Sequence, residues 1–498
     1  MNEKQFEAFQ LGLTRKLSLI QGPPGTGKSA VALNIVQRIL EKTSCTILVV
    51  TFQKYNLDKF LMDCSALTEK IVRIGGYLGD SRLERFTLDN TVQDPRIHRI
   101  RRQCIAQYEN LMNIFADKLK INDRNEDHSH DALMHILNEV QKTSLKGQEL
   151  HQLHLYKECR GARIIGMTTT GIAKYSCLLK LIRPSVVIME EAENSPECQV
   201  ITALTEYTQQ LIFVGEAKRI GFLKDLHFDI PCRNTSLFER LVENDINNIL
   251  LNVQHRMHPN ISDLVRETLY PDLIDGDNVK SYQPIRGISK NLFCVVLKGL
   301  SPNDDSLLEQ FPVQNQEKLS KESFHEILFS CSLANYLRQQ GYKAHEIVIF
   351  TTGSDNEVEA LEAFLVLFPL LKDVRVKSME KFQGQECRIL IVSLATTDQN
   401  PNIESMSRDD RLCVLLTRAQ EGLYIVGQLD LYVEMNETWR KVKENLESKG
   451  CIGPILSIKC EKHGCEILAA GVEDFLKFSQ EGCPTGTLDK ENPCIESN

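Results

Sequence analysis

The feature that most limits the fold of this chain is the segment Gly-Pro-Pro-Gly-Thr-Gly-Lys-Ser at positions 22–29. It follows an apolar run at 17–20 and precedes a stretch in which Val31, Ile35 and Ile39 lie on one helical stripe. A glycine-rich segment that ends in Lys-Ser, between a strand and a helix, is typical of a loop whose backbone N–H groups wrap a phosphate. The sequence therefore predicts a nucleotide-binding domain built on a parallel sheet.

Each residue of this loop has a predicted place in nucleotide binding. The glycines let the backbone turn tightly around a phosphate, and the helix that follows points its positive end toward it. Lys28 is predicted to reach the β and γ phosphates, and Ser29 is predicted to bind the Mg²⁺ that bridges them. The predicted nucleotide-binding residues of the loop are Gly22, Pro23, Pro24, Gly25, Thr26, Gly27, Lys28 and Ser29.

A second acidic element is expected at the end of another strand, because a nucleotide site must also hold the metal and position water. Glu190 and Glu191 come directly after the apolar run 186–189. Ligands bind at the carboxyl ends of the strands in open parallel sheets. We therefore predict that Glu190 holds Mg²⁺ and that Glu191 orients or deprotonates the attacking water.

Apolar runs alternate with amphipathic stretches along most of the chain, which is typical of parallel sheets covered on both faces. The predicted strands are 17–20, 47–50, 186–189, 211–214, 347–350, 389–392 and 423–426. They form two groups, so the predicted fold class is α/β with two tandem parallel-sheet domains. The predicted domains are residues 1–265, with a helical insertion at about 80–160, residues 266–435, and a partly disordered C-terminal tail at 436–498.

Composition excludes some classes of protein. The sequence contains no apolar run of the length that crosses a bilayer, so no membrane span is predicted. The net charge of −9 argues against a chain that coats nucleic acid by charge alone, although a motor needs positive charge only along one groove. Without a recognisable export signal, the 16 cysteines are expected to be reduced. The predicted location is the cytoplasm, with the nucleus or RNA granules as additional locations.

Six further motifs follow the phosphate-binding segment along the chain. Beyond that segment they are Thr168-Thr169-Thr170, Glu190-Glu191, Gly215-Glu216, Gln254-His255-Arg256-Met257-His258-Pro259, Phe382-Gln383-Gly384-Gln385-Glu386 and Arg411-Leu-Cys-Val-Leu-Leu-Thr-Arg418-Ala. In order and spacing this series resembles the motifs of the up-frameshift-like branch of the superfamily 1 helicases. The resemblance covers nearly the whole chain and implies two tandem RecA-like P-loop NTPase domains.

A closer resemblance is carried by longer segments. They are GARIIGMTTTGIAKY, VVIMEEAE, TSLFERLVENDI, LNVQHRMHPNIS and IRGISKNLFCV. These segments are similar to the large RNA helicases that carry a row of NFX-type zinc fingers after the motor. The fingers are absent from this sequence, which leaves a fragment, a partial gene model and a short paralogue as open interpretations.

The resemblance implies roles for residues in the nucleotide site. It implies that Gln5 hydrogen-bonds the adenine edge and that Glu386 binds the ribose. Arg256 and Arg418 match the two arginines that reach the γ-phosphate across the interdomain cleft, so that hydrolysis depends on closure. Planar guanidinium groups suit the charge that develops on a transferring phosphoryl group. Gln383 matches the residue that senses the γ-phosphate.

The resemblance also implies a nucleic-acid site. Thr51, Lys54, Thr168, Thr169 and Thr170 match the motifs that touch the sugar–phosphate backbone in this superfamily. Hydroxyl groups and backbone amides suit contacts that read no bases, so single-stranded RNA is expected to bind independently of sequence and more weakly at high salt.

Four positions depart from the family pattern. Glu190 and Glu216 replace aspartates, His255 replaces a tyrosine, and Arg219 replaces a glutamine that contacts the γ-phosphate. A metal shell can absorb the extra methylene of Glu190, whereas a cation at 219 cannot copy the acceptor of an amide.

The leading hypothesis is therefore an enzyme: an ATP hydrolase and RNA helicase or translocase that uses ATP and Mg²⁺. The resemblance places such a motor in RNA surveillance, gene silencing or antiviral defence, with silencing or decay proteins as partners. The departures at Glu216 and Arg219 motivate an alternative, a nucleotide-dependent RNA clamp with weak or no ATPase. A DNA helicase of the same branch is a third hypothesis.

Overall fold

The computed structural model describes residues 1–76, 81–88, 95–121, 127–216, 236–297, 320–353, 355–378, 382, 385–395, 406, 408–461 and 463–481. The chain divides into two compact units. The first comprises Met1–Gln21 and Lys28–Leu250, and the second comprises Gly22–Gly27 and Leu251–Asn498. The domain boundaries predicted at residues 265 and 435 stay predictions.

The first unit is built on a parallel sheet of seven strands in the order β3-β4-β2-β5-β6-β1-β7. The strands are β1 Leu17–Gln21, β2 Ile47–Thr51, β3 Ile71–Arg73, β4 Ile164–Thr168, β5 Val186–Glu190, β6 Gln210–Gly215 and β7 Asn248–Leu250. All residues of β2 and β5 are buried, because helices cover both faces of the sheet. The four strands predicted in this region are confirmed.

Helices connect these strands. They are α1 Glu3–Thr14, α2 Lys28–Lys42, α3 Lys54–Ser65, α4 Ser81–Glu84, α5 Pro95–Ile121, α6 Asp127–Cys159, α7 Thr169–Lys174, α8 Ser176–Ile182, α9 Glu197–Ala203 and α10 Leu237–Glu243. The predicted stripe of α2 is buried, including Val31, Ile35 and Ile39. The long helices α5 and α6 pack against each other and form the predicted helical insertion between β3 and β4.

The second unit contains a parallel sheet of six strands in the order β12-β11-β13-β14-β10-β15. These strands are β10 Leu292–Val295, β11 Ile347–Thr351, β12 Arg375–Lys377, β13 Cys387–Ser393, β14 Ala419–Val426 and β15 Ile452–Gly453. Two small pairs complete the unit: β8 Val253–Gln254 with β9 Ile274–Asp275, and β16 Leu456–Lys459 with β17 Glu466–Ala469. The three strands predicted here are confirmed, and so is the fold class.

The helices of the second unit cover its sheet. They are α11 Pro259–Thr268, α12 Asp277–Lys280, α13 Lys321–Gln339, α14 Asp355–Leu367, α15 Asp409–Leu416, α16 Asp430–Met435, α17 Glu437–Ser448 and α18 Val472–Glu481. Part of the predicted tail is thus ordered as β15–β17, α17 and α18, whereas residues 482–498 lie outside the described residues. Among the described residues, no helix has the length and apolar character needed to cross a membrane.

A buried ion pair ties β3 to α3 in the first unit. Arg73 Nε lies 2.6 Å from Asp58 Oδ1, and both side chains are almost completely excluded from solvent. Arg73 also donates to the carbonyl oxygen of Gly75, just past the end of β3. Removing one member of such a pair leaves the other charge buried and uncompensated, which is costly.

We therefore expect Asp58→Ala to lower the free energy of unfolding of the first unit by roughly 3–5 kcal/mol. Urea denaturation followed by circular dichroism measures the change. Asp63→Ala is the matched control, because Asp63 lies on the same helix but is exposed, and its effect should stay within about 0.5 kcal/mol. Equal losses in the two variants would contradict a stabilising role for the ion pair.

Candidate nucleotide and nucleic-acid site

The loop between β1 and α2, predicted to bind phosphate, contains two glycines in the left-handed backbone region. Gly25 and Gly27 have φ angles of +82° and +83°, which side chains with a Cβ rarely adopt. A Cβ at Gly22 would lie 2.6 Å from Thr26 Oγ1 and 2.9 Å from the carbonyl oxygen of Leu251. Thr26 Oγ1 donates to the carbonyl oxygen of Pro23 at 2.8 Å and fixes the turn. The glycines of the motif are therefore required by geometry at these positions.

Lys28 and Ser29 are the first two residues of α2, where the helix dipole favours an anion. Ser29 hydrogen-bonds the carboxyl group of Glu190, and the positive charge of Lys28 acts on that same group. The first unit therefore brings together three residues that the sequence predicted for the phosphates and the metal.

Glu190 ends β5 and is 7% exposed. Burial raises the pKa of its carboxyl group to about 7, while the bond from Ser29 and the charge of Lys28 act in the opposite direction. Its Oε1 is buried and has no hydrogen-bond partner among the described residues. A buried oxygen of this kind, next to a serine hydroxyl, is a suitable ligand for a hard cation such as Mg²⁺. The residues present therefore fit the predicted metal.

Glu191 adopts a left-handed backbone conformation, with φ +52° and ψ +48°. This conformation is uncommon for a residue other than glycine, and such residues cluster at functional sites. The Asn194 amide nitrogen lies 3.5 Å from Glu191 Oε2. The turn separates the two carboxylates, so that Glu190 is buried and Glu191 is partly exposed.

A third acid, Glu193, was missed by the sequence prediction. It is 2% exposed, and its Oε2 accepts a hydrogen bond from the backbone N–H of Glu216 at 3.1 Å. A Cβ at Gly215 would lie only 2.5 Å from this oxygen, so a glycine is needed there. Glu193 thus joins the turn after β5 to the turn after β6. Glu216 is itself buried, and Arg219 lies outside the described residues.

Gln5 takes part in capping the first helix in this structure. Its Oε1 accepts from the backbone N–H of Asn2 at 3.0 Å, and its own N–H donates to Asn2 Oδ1 at 2.9 Å. This reciprocal arrangement is a capping box at the start of α1. The role of Gln5 at the adenine edge stays a prediction.

In the second unit, Gln254 organises the turn that carries Arg256. Its Oε1 accepts from the N–H groups of Arg256 and Met257 at 2.9 and 2.7 Å, and its Nε2 donates to Asp275 Oδ1 at 2.7 Å. Next to it, the N–H of His255 donates to the carbonyl oxygen of Gly25 at 2.8 Å. The sequence analysis predicted no role for Gln254, which is fully buried.

The second unit also brings Arg256, Arg418 and Glu386 together. Arg256 Nε lies 2.7 Å from Glu386 Oε2, and Arg256 Nη1 donates to the carbonyl oxygen of Thr417 at 3.0 Å. Arg418, which is 4% exposed, donates from Nη1 to the carbonyl oxygen of Gln385 at 3.3 Å. Gln383, the predicted γ-phosphate sensor, lies outside the described residues.

Strand register aligns Thr51 and Thr168, two of the predicted nucleic-acid residues, with Glu190, the predicted metal ligand. Thr51 is paired with Thr168 on one side and with Glu190 on the other, at the carboxyl ends of β2, β4 and β5. Thr51 and Thr169 are completely buried, and Thr51 Oγ1 donates to the carbonyl oxygen of Gln53. A bound strand could therefore meet the backbone at these two positions, and their predicted role stays a prediction.

The three other predicted residues have side chains at the surface. Lys54 and Thr170 are exposed, and Thr168 is partly exposed. The hydroxyl groups of Thr168 and Thr170 lie 3.1 Å apart, and Thr168 also caps α7 by accepting from the N–H of Gly171. These side chains are suited to hydrogen-bond or pair with phosphate oxygens.

Comparison with known proteins identifies the family of this chain. Two AAA domain families match the chain, one over residues 1–219 and the other over residues 233–430. NFX1-type zinc finger-containing protein 1 of Homo sapiens is 33% identical over 342 residues, which is 66% of this chain and 16% of that protein. Helicase required for RNAi-mediated heterochromatin assembly 1 of Schizosaccharomyces pombe is 30% identical over 289 residues, or 56% of this chain and 27% of that protein.

Regulator of nonsense transcripts 1 of Caenorhabditis elegans is 25% identical over 490 residues, which is 92% of this chain and 41% of that protein. The chain thus spans less than half the length of each of these three relatives. Among solved structures, the PRRSV helicase has a TM-score of 0.38 and 12% sequence identity. The match covers 93% of this chain and 63% of the helicase chain, and a TM-score this low carries no argument about function. On its motifs, its paired AAA domains and these relatives, the chain belongs to the up-frameshift-like branch of the superfamily 1 helicases.

Proposed function

We propose that this chain is an ATP-driven motor that couples ATP hydrolysis to movement along single-stranded RNA. The observation that carries the proposal is the buried Glu190 carboxyl group, which has one oxygen without a partner among the described residues and lies next to Ser29 and Lys28. A protein keeps such a group where a charged ligand compensates it. An Mg²⁺–nucleotide complex supplies that compensation.

The chain's own residues would perform most of the chemistry. Ser29 and Glu190 would hold Mg²⁺, which neutralises charge on the phosphates when bound. Lys28 would bind the phosphates, and Glu191 would orient the attacking water. Arg256 would stabilise the charge that develops on the γ-phosphoryl group, which is consistent with the close approach of its Cβ to Gly25 of the phosphate loop.

The remaining site residues have the roles that the family pattern implies. Arg418 would act on the same phosphoryl group as Arg256, and Gln383 would sense it. Gln5 would contact the adenine and Glu386 the ribose. Thr168, Thr170 and Lys54 would contact the sugar–phosphate backbone of the strand.

RNA is the proposed strand because the names of two relatives refer to nonsense transcripts and to RNAi. We extend that context to this chain as a role in RNA surveillance or silencing, in the cytoplasm or the nucleus. A nucleotide-dependent clamp with little hydrolysis is the second candidate. It is favoured by Glu216, which stands in place of an aspartate, is buried, and has its backbone bound by Glu193.

Hydrolysis by the purified chain separates the two candidates. We expect RNA-stimulated ATP turnover that falls at least about 100-fold in Lys28→Ala, because the variant loses a charge aimed at the transferring phosphoryl group. Lys42→Ala is the matched control, since Lys42 is exposed at the opposite end of the same helix. Single-stranded DNA in place of RNA tests the DNA-helicase alternative.

Turnover that is equal in wild type and Lys28→Ala would overturn the motor. If both proteins still bound nucleotide and RNA under those conditions, the clamp would remain. Stimulation by DNA but not by RNA would overturn the choice of strand and leave the motor intact.

Glu190 also makes the stability of the nucleotide-free protein depend on pH. Its pKa of about 7 lies above the ordinary value of 4.5, so between these values the folded protein holds a proton that the unfolded chain has released. Stability therefore falls as pH rises through this window. Relative to Glu190→Gln, we expect wild type to lose on the order of 3 kcal/mol between pH 4.5 and 8. Urea denaturation across this range measures the loss, and parallel profiles for the two proteins would contradict it.

Lys54 is expected to contribute a phosphate contact. Lys54→Ala should weaken RNA binding and reduce the slope of log K against log salt by about 0.7 for a single strand. Fluorescence anisotropy with labelled RNA at several salt concentrations gives both quantities. Lys16→Ala is the control, because Lys16 is exposed before β1, at the amino ends of the strands. Equal slopes for the two variants would remove Lys54 from the RNA site.

A further inference from the structure

Glu386 has a charged partner that its implied contact with ribose does not explain. Its Oε2 lies 2.7 Å from Arg256 Nε, so the two charges form an ion pair, although the Nε–H group makes no hydrogen bond among the described residues. The two side chains are 30% and 17% exposed. The residues are far apart in sequence: Arg256 lies in the turn between β8 and α11, and Glu386 immediately precedes β13. The fold of the second unit therefore holds this ion pair in place.

Backbone carbonyl groups reinforce the arrangement from both sides. Arg256 Nη1 donates to the carbonyl oxygen of Thr417, and the neighbouring Arg418 donates to the carbonyl oxygen of Gln385, next to Glu386. The N–H of Cys387 donates to the carbonyl oxygen of Arg418 at 3.1 Å. Both arginines are thus held by the short segments 385–387 and 417–418.

The same arginine lies beside the phosphate loop. A Cβ built on Gly25 would be 2.9 Å from Arg256 Cβ, and the neighbouring His255 N–H binds the carbonyl oxygen of Gly25 at 2.8 Å. A polyphosphate bound in the loop would therefore attract the guanidinium group that Glu386 holds. A guanidinium group that moves to form charge-assisted hydrogen bonds with a phosphate chain must leave its place beside the carboxylate.

We propose that Glu386 is a positioning residue that holds Arg256 until a polyphosphate displaces it. This inference rests on the proposed function, because it takes the loop around Gly25 to be the phosphate site. Arg256 must leave Glu386 before it binds phosphate. The free energy of polyphosphate binding is therefore less favourable by the free energy of the ion pair. Partly exposed pairs of this kind change an equilibrium about two- to fivefold. Glu386 therefore lowers the affinity for polyphosphate by that factor and ties the movement of Arg256 to phosphate binding.

Inorganic tripolyphosphate separates this role from a contact with ribose, because it has the charge of the nucleotide tail and no sugar. With Mg²⁺ present, we expect Glu386→Gln to tighten tripolyphosphate binding about two- to fivefold, as measured by isothermal titration calorimetry on the full chain. In an Arg256→Ala background the same substitution should have no effect, since the arginine that it releases is absent. Arg256→Gln replaces Arg256→Ala if the alanine variant does not fold, as judged by thermal melting.

Glu421→Gln is the matched control. It removes the same charge in the same unit, but Glu421 pairs with Arg388 at 2.7 Å. We expect no tightening in this variant. An equal tightening in Glu421→Gln, or a tightening that persists without Arg256, would show a general charge effect and overturn the proposal. Unchanged tripolyphosphate binding in Glu386→Gln would also overturn it, including the case in which ATP binding weakens because of a lost ribose contact.

Tripolyphosphate binding by Lys28→Ala distinguishes a failure of the proposed function from a failure of this inference alone. If wild type and Lys28→Ala bound tripolyphosphate equally, the loop would not be the phosphate site, and the proposed function and this inference would both fall. If binding depended on Lys28 but not on the Glu386–Arg256 pair, only this inference would fall.

Discussion

In both large sheets the strands pair in parallel, and this pairing decides which distant segments of the chain become neighbours. Because the paired strands of each large sheet run in one direction, the residues that follow them collect along one edge. In the first unit this edge carries Thr168, Thr51 and Glu190 in adjacent strands. Residues that are more than a hundred positions apart in the chain become neighbours without any local signal that relates them.

Buried carboxyl groups at this edge serve two different purposes. Glu193 is satisfied, since it accepts from the backbone of Glu216 and fixes the spacing of two turns. Glu190 is only partly satisfied, and burial shifts its pKa upward. The first acid is part of the scaffold, whereas the second has a buried oxygen without a hydrogen-bond partner among the described residues. Glu190 and Glu193 therefore have different surroundings, although only three positions separate them in the sequence.

The sequence predicted seven of the longer apolar strands, and it located the loop and the acidic turn. It missed β3, β7 and β12, because three residues are too few to show a period. It also missed two longer strands, β4 and β10. Local motifs also do not show how deeply a side chain is buried or which residue it pairs with in the folded protein. Nothing in the sequence showed that Thr51 would be completely buried, or that Arg256 would pair with a residue 130 positions away. Such facts depend on which segments the fold brings together.

The partly satisfied Glu190 links the folding of the first unit to the solution around it. A cation that binds the unpartnered oxygen removes a penalty that the empty protein carries, so ligand binding and folding share one free energy. The unit then has no single intrinsic stability, because its resistance to unfolding rises with the concentration of whatever binds there. A protein built in this way is most readily unfolded, and most exposed to proteases, when that ligand is scarce.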